Sequence, residues 1–410
     1  MFSRISSLVA GFIHRRSENE EESPLVTPDE HDFPLLDYLP ENKKLVLLIL
    51  RKLSPHDLIH FAMCSPSTLE LARESRMESV ENKGPIVVNL CFHFDSQRIS
   101  MNYLDDPRTH YEYNIKQLAA LPRSYFNYNG LLFENGSSLI GDEEDEDNIY
   151  QNIIHFHNTH TAMKIVYDLI CRIYPSAISK ITVELRENSF ERVERIITSF
   201  QEYNTAEWIF VNFSIRNEIL RKLHVEISKV NLEKVVIRCN SNSKFRCDFE
   251  DLKCKVYLNN HAQWADMDQI CIMKIQHVYL YDTKIQCANF CKFAEDWKKG
   301  FTPPWCSLIL ESSYCKKASL KDYIDMPYLE ITNFGNKEIF IKNPTIRCFK
   351  FQTANMEGYH IMREDGEIAT FAIEHGGYFT FHLQNEENLT IIPRCLLPTK
   401  KQRTARRTLF

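Results

Sequence analysis

Six short apolar runs, each too brief to make a helix, constrain this chain more than any other feature. They are ITVEL (181–185), WIFVNF (208–213), KVVIR (234–238), CKVYL (254–258), HVYLY (277–281) and SLIL (307–310). They recur at intervals of roughly 20 to 29 residues, with helix-patterned or irregular stretches between them. A single strand of this kind cannot bury both of its faces. Successive strand-plus-helix units stacked side by side can, and they share one continuous core. The spacing therefore predicts a curved, leucine-rich-repeat-like α/β array over residues 161–330. It is irregular, because the leucine and asparagine positions of a regular repeat are missing. An ordinary α/β domain is the alternative for the same runs.

Around this array the texture changes. Residues 84–160 read as a β-rich linker subdomain: IVVNLCFHF and RISMNY are strand-like, and Asn129-Gly130 and Asn135-Gly136 are turn signals flanking LLFE. The acidic run at 142–147 cannot pack, since its carboxylates repel one another, and is expected to be a solvated loop. A helix is predicted over Thr161–Tyr174, stopped at Pro175. After residue 330 the period shortens. KEIFI, IRCFKF, YHIM, IATFAI and YFTFHLQ, separated by turn residues, predict an antiparallel meander of five strands over 331–395. The first 32 residues read as a disordered acidic leader and residues 396–410 as a basic tail. The fold class expected is α+β: three N-terminal helices, then the array, then the meander.

Composition narrows the function classes. Apolar residues make up 44% of the 410 residues and aromatics 12%, which is a core-forming chain. The formal net charge is -6, so no global field draws the protein onto nucleic acid or anionic lipid, and neither partner is expected. No apolar window approaches the length of a membrane span. The 13 cysteines are scattered, without the spacing of a zinc or redox motif, and read as buried thiols of a cytoplasmic and/or nuclear protein.

Residues 33–76 carry the most functional information. Pro40 suits the first turn of a helix, where its missing N–H would have had no partner anyway. The helix then runs Leu45, Val46, Leu47, Leu48, Ile49, Leu50 without a polar break. At 100° per residue six consecutive apolar side chains surround the cylinder, whereas a surface helix leaves much of its circumference polar. Ser54, Pro55 and Asp57 then form an N-cap with proline in the first turn, and Ser65-Pro66 ends the second helix and permits a short third. Three such helices are too small to bury all this apolar surface alone. Either the rest of the chain covers it or another protein does.

This segment resembles an F-box. The resemblance rests on Leu39-Pro40, Leu45, Leu48, Ile49, Leu53, the Ser54-Pro55-x-Asp57-Leu58 stretch and Cys64-Ser65. Further along, Asn289-Phe290 with Phe293 to Gly300, and Gly358 to Ile361 with Arg363 to Gly366 and Ala369-Thr370, resemble the F-box associated domain (type 2) of nematode-type F-box proteins. That resemblance implies a non-catalytic substrate receptor of a Skp1-cullin-F-box ubiquitin ligase. Leu39, Pro40, Leu45, Leu48, Ile49, Leu53, Asp57, Leu58 and Phe61 would face a Skp1-type adaptor and, through it, a cullin-RING ligase, some of them also serving the internal core. An unknown client protein would bind the C-terminal region. Trp264, Trp297 and Trp305 are the candidate client-binding rings if they stand outward; packing in the core or under the Gly300 turn is the favoured reading of Trp297 and Trp305.

Catalytic alternatives carry less. His155, His157 and His160 (HFHNTH) have a possible ligand spacing, but no cysteine cluster completes a zinc set, so no metal is expected. Cys287 and Cys291 lie one helical turn apart beside Phe290 and Phe293 and read as core thiols. There is no Gly-rich phosphate loop and no nucleophile elbow. No catalytic residue and no cofactor are expected. The other readings are an α/β enzyme with an internally packed helical subdomain, and an adaptor-bound scaffold without a ubiquitination client.

Overall fold

The computed structural model describes residues 39–77, 86–122, 125–134, 138–140, 148–174, 178–187, 190–203, 205–212, 215–241, 244–247, 249–312 and, beyond these, strands and single positions up to 393. The leader, the acidic loop, the basic tail, IRCFKF and the Asn135-Gly136 turn lie outside the described residues. Among the described residues the chain is α+β, with N-terminal helices followed by a mixed array of strands. It divides into two compact units. One runs to Glu184 and takes back Glu202–Ala206; the other comprises Leu185–Gln201 and the chain from Glu207 onward. The division thus falls inside the stretch expected to be one array.

The first unit begins with helices α1 (Leu39–Leu50), α2 (Pro55–Ala62) and α3 (Pro66–Met77). Ser54 caps α2: its Oγ accepts the Asp57 N–H at 3.1 Å and donates to Asp57 Oδ2 at 2.7 Å. Ser65 and Thr68 cap α3 reciprocally, each side-chain oxygen accepting the other's backbone N–H, at 2.8 and 3.1 Å. Strands β1 (Ile86–Phe92), β2 (Gln97–Tyr103) and β3 (Thr109–Gln117) pair antiparallel in succession. Strands β4 (Tyr125–Tyr128) and β5 (Leu131–Glu134) form the hairpin that LLFE announced, and β6 (Ser138–Ile140) is short. Its turn has φ 49° at Asn129 and 82° at Gly130, the two positive values a tight hairpin needs. A Cβ at Gly130 would sit 3.0 Å from the Phe156 ring, which would have to shift by a few tenths of an ångström, so space adds to the preference for glycine that φ imposes.

Strand β7 (Asn148–Phe156) lies parallel to β3, with β5 and β6 antiparallel on β7. Helix α4 (Thr159–Ile173), capped by Asn158, leads to β8 (Ile178–Glu184), which is parallel to β1. The register sets Ile181, Leu90, Ile99 and Tyr113 in one row across four strands, all fully buried.

In the second unit, helix α5 (Phe190–Phe200) is followed by β9 (Thr205–Asn212), α6 (Asn217–Ser228), β10 (Leu232–Cys239), β11 (Cys254–Asn259), α7 (Met267–Cys271), β12 (His277–Thr283), α8 (Cys287–Lys298) and β13 (Ser307–Ser312). Strands β9 to β13 pair parallel in sequence order, as the recurring runs predicted. One face carries the row Trp208, Val235, Tyr257, Val278 and Leu308, and His224 of α6 meets Tyr257 on this side. The other face holds a buried cluster of Ile209, Val236, Val256, Leu258, Tyr279 and Ile309. Burial on both faces is why these strands read as unbroken apolar runs rather than alternating ones.

Strands β14 (Leu329–Glu330), β16 (Met356–Met362), β17 (Ile368–Glu374) and β18 (Tyr378–Leu383) pair antiparallel in succession, and β18 also pairs antiparallel with β13. The row therefore continues from Leu308 to Phe381 and Phe371. Strands β15 (Lys337–Ile341) and β19 (Leu389–Pro393) pair only with one another.

Candidate functional site

Helix α1 resolves the question its sequence raised. Val46, Leu47 and Leu50 point inward and are buried, whereas Leu45 and Leu48 are 57% and 53% exposed, with Ile49 half-buried beside them. The wheel explains the split. Leu45, Leu48 and Ile49 fall within one narrow sector, and Val46, Leu47 and Leu50 fall on the opposite side. The exposed sector is an aliphatic ridge flanked by Lys44 and Lys52, both exposed. Leu53 at its C-terminal end is half-buried.

The ridge is held in place from behind. Lys43 Nζ pairs with Glu74 Oε2 of α3 at 2.7 Å, and Arg76 Nη2 donates to the Leu53 carbonyl at 3.1 Å. The Arg76 guanidinium also lies 5.4 Å from the centre of the Tyr174 ring. Helix α2 turns its other side to the sheet of the same unit. His56 meets Tyr111 and Tyr113 of β3, and His60 meets Tyr113 and Phe133, with ring centres 4.6 to 6.2 Å apart.

The nine residues expected to face an adaptor therefore separate. Leu45, Leu48, Ile49 and Leu53 reach the surface to differing degrees, and Asp57 is exposed but occupied with the α2 cap. Leu58 and Phe61 are interior, at 0% and 5% exposure, so they support α2 from within. Leu39 and Pro40 open α1, but their side chains are outside the described set.

The tryptophans require a correction. Trp264, Trp297 and Trp305 are interior, at most 1% exposed, and none is an outward recognition ring. Trp264 stacks on Phe249 at 4.9 Å and meets Phe245 edge-on at 5.5 Å. Trp297 packs against Phe371 and Phe381. Trp305 lies 5.2 Å from Phe293 and 5.1 Å from Phe381, and its Nε1 donates to the Ile270 carbonyl at 3.1 Å. The turn signals Gly300 and Pro303-Pro304 suggested presentation of these rings, but α8, β13 and the returning β18 close around them. That partner strand lies some seventy residues downstream and left no local trace in sequence.

His155 Nε2 is engaged by Glu134 Oε1 at 2.6 Å, whereas His157 is exposed. Cys287 and Cys291 are buried, with sulfurs 3.8 Å apart, and the cysteines among the described residues are free thiols. In the second unit His277 Nδ1 lies 2.7 Å from Ser307 Oγ, the Tyr279 hydroxyl is 3.3 Å from the same oxygen, and His382 sits opposite Ser307 across the β13–β18 pair. Ser307 is 2% exposed, so in this conformation its hydroxyl cannot meet a substrate carbonyl despite the adjacent imidazole. Among the described residues, no group of three or more His, Cys, Asp or Glu side chains gathers as a metal set, and no helix is long and apolar enough to cross a membrane.

The spacing that sequence reading passed over is His56-x-x-x-His60. It puts two imidazoles on one face of α2, and it was overlooked because the helix was read only for its leucines and its cap.

No protein-family model, no curated protein sequence and no solved structure matches this chain.

Proposed function

We propose that this chain is a non-catalytic substrate receptor of a Skp1-cullin-F-box type ubiquitin ligase, docking on a Skp1-type adaptor through the α1 ridge. The observation that carries the reading is the exposure of Leu45 and Leu48 on a helix whose opposite side is packed into its own unit. Two large aliphatic side chains at i and i+3, both more than half exposed and extended by Ile49, make the apolar centre of an interface, and Lys44 and Lys52 make a polar rim. The F-box resemblance of residues 34–75 assigns these same positions to the adaptor. The remaining chain, more than 300 residues, is then available to hold a client. The mechanism is proximity: bridging two proteins raises the local concentration of client lysines at the ligase without any bond-making residue in this chain.

The test is co-purification of the full chain with a Skp1-type adaptor. Leu48→Asp places a carboxylate in the middle of the aliphatic contact and is expected to weaken capture at least about tenfold, equivalent to about 1.4 kcal/mol or more. Because Leu48 is 53% exposed, the far-ultraviolet circular dichroism should stay unchanged. Leu45→Asp should act alike. Undiminished capture by both variants, or no capture by the parent chain, would refute the assignment.

A further inference from the structure

We propose that the first unit holds a divalent transition-metal ion of the zinc class between His56 and His60, on the side of α2 that faces β3. Two imidazoles four residues apart on one helix project from the same face and can converge on a single ion. Here both Nε2 atoms are enclosed and neither has a hydrogen-bond partner in the protein. His56 is 4% exposed, and the Nε2 of His60 is enclosed although that residue as a whole is only partly buried. Buried polar atoms of native proteins are nearly always satisfied, so two such nitrogens one helical turn apart call for a missing partner.

A third atom belongs to the same place. The Tyr113 hydroxyl is also enclosed without a partner, and its ring centre lies 4.6 Å from that of His56 and 6.2 Å from that of His60. Its oxygen would complete the set directly or through a metal-bound water. The surroundings fit a cation. The Asp57 carboxylate, on the same helix, adds a favourable potential at His60. Imidazole nitrogens suit zinc, copper and nickel, whereas calcium and magnesium require oxygen cages. The site is independent of the adaptor ridge: it lies on α2, on the side packed to the sheet, and not on the exposed sector of α1.

The experiment uses the full chain, stripped with a chelator and titrated with Co²⁺ and with Zn²⁺. One equivalent is expected to bind, with a visible Co²⁺ band of a nitrogen-ligated, low-symmetry ion. His56→Leu combined with His60→Leu should weaken that equivalent at least about thirtyfold. His60→Cys should keep binding and add a thiolate-to-Co²⁺ charge-transfer band, absent from the parent chain. Because the chain holds other free thiols, the band is read as the difference from the parent chain, and it separates ligation from a merely structural role even if the double variant folds poorly. No stoichiometric uptake by the parent chain would overturn the proposal, leaving a bridging water as the partner of the three atoms. Unchanged uptake by the double variant, or a cysteine variant without the new band, would overturn it too.

Discussion

Trp305→Ala is expected to destabilise the second unit by about 3–5 kcal/mol, the range for truncating a large buried ring. The ring is fully enclosed and joins three elements: it touches Phe293 of α8 and Phe381 of β18, and it bonds the Ile270 carbonyl of α7. Most of the loss comes from the cavity. The hydrogen bond adds only about 1 kcal/mol, since the Ile270 carbonyl also accepts from the Met273 N–H at 3.1 Å and is not orphaned. Trp305→Phe should recover a good part of the loss by filling some of the space. Urea unfolding followed by tryptophan fluorescence and circular dichroism measures both. The expectation opposes the alternative that Trp305 is a surface anchor. An anchor removed would spare stability and abolish only client capture, so an alanine variant as stable as its parent would restore that alternative.

The second large effect is acid sensitivity. His224, His277 and His382 are buried, and desolvation, which disfavours the charged imidazolium, holds them at about 4, about 4 and about 3. The neighbouring His277 lowers His382 further. The groups facing them are hydroxyls and backbone. His224 bonds the Leu220 carbonyl and the Tyr257 hydroxyl, His277 bonds Ser307, and His382 lies across from Ser307. In the unfolded chain each ring titrates near 6.5. Between pH 6.5 and about 4 the unfolded state thus binds more protons than the folded one, and stability must fall as pH falls. The stabilisation is fully present above pH 6.5. By pH 4.5 each ring should have cost about 2–3 kcal/mol, at 1.36 kcal/mol per pH step. Urea midpoints measured from pH 7.5 to 4.5 should decline steeply below 6.5. His224→Gln should flatten the slope by about one proton, even if it lowers stability at neutral pH. A flat profile over this range would contradict neutral burial of these rings.

These two expectations show which parts of the molecule could be read beforehand. The recurring strand runs were legible because their central residues are buried on both faces of the sheet, as Trp208 to Phe210, Val235 to Ile237 and Val278 to Leu280 are. The helix over 159–173 and the Ser54 cap were legible for a similar reason, since their determinants lie within a few residues of one another. What escaped sequence reading is pairing at a distance. Nothing local at Ser307–Ser312 says that its second neighbour will be Tyr378–Leu383 rather than solvent, and the placement of Trp297 and Trp305 follows from that neighbour. For the same reason β1 gave no hint that β8 would run parallel to it. At the candidate site the run Leu45–Leu50 is apolar at every step, so its sequence alone does not divide it between an inner and an outer side. Which leucines face inward was settled only by the packing of α3 and by Lys43–Glu74. The paired imidazoles of α2 were in view as a spacing, but their meaning depends on two tyrosines of β3 that sequence could not place beside them.

The seam between β13 and β18 also bears on how the second unit comes to be folded. Neighbouring parallel strands of the array lie only a few tens of residues apart, so order can spread from one to the next with short chain closures. The seam instead joins segments separated by about three times that length of chain, and such distant pairings are the slow ones. The last rings to be enclosed, those of Phe371, Phe379 and Phe381 against α8, therefore wait for the arrival of the far end of the chain. Until then, a ribosome-bound or newly released chain carries an ordered array with its aromatic flank still open to water.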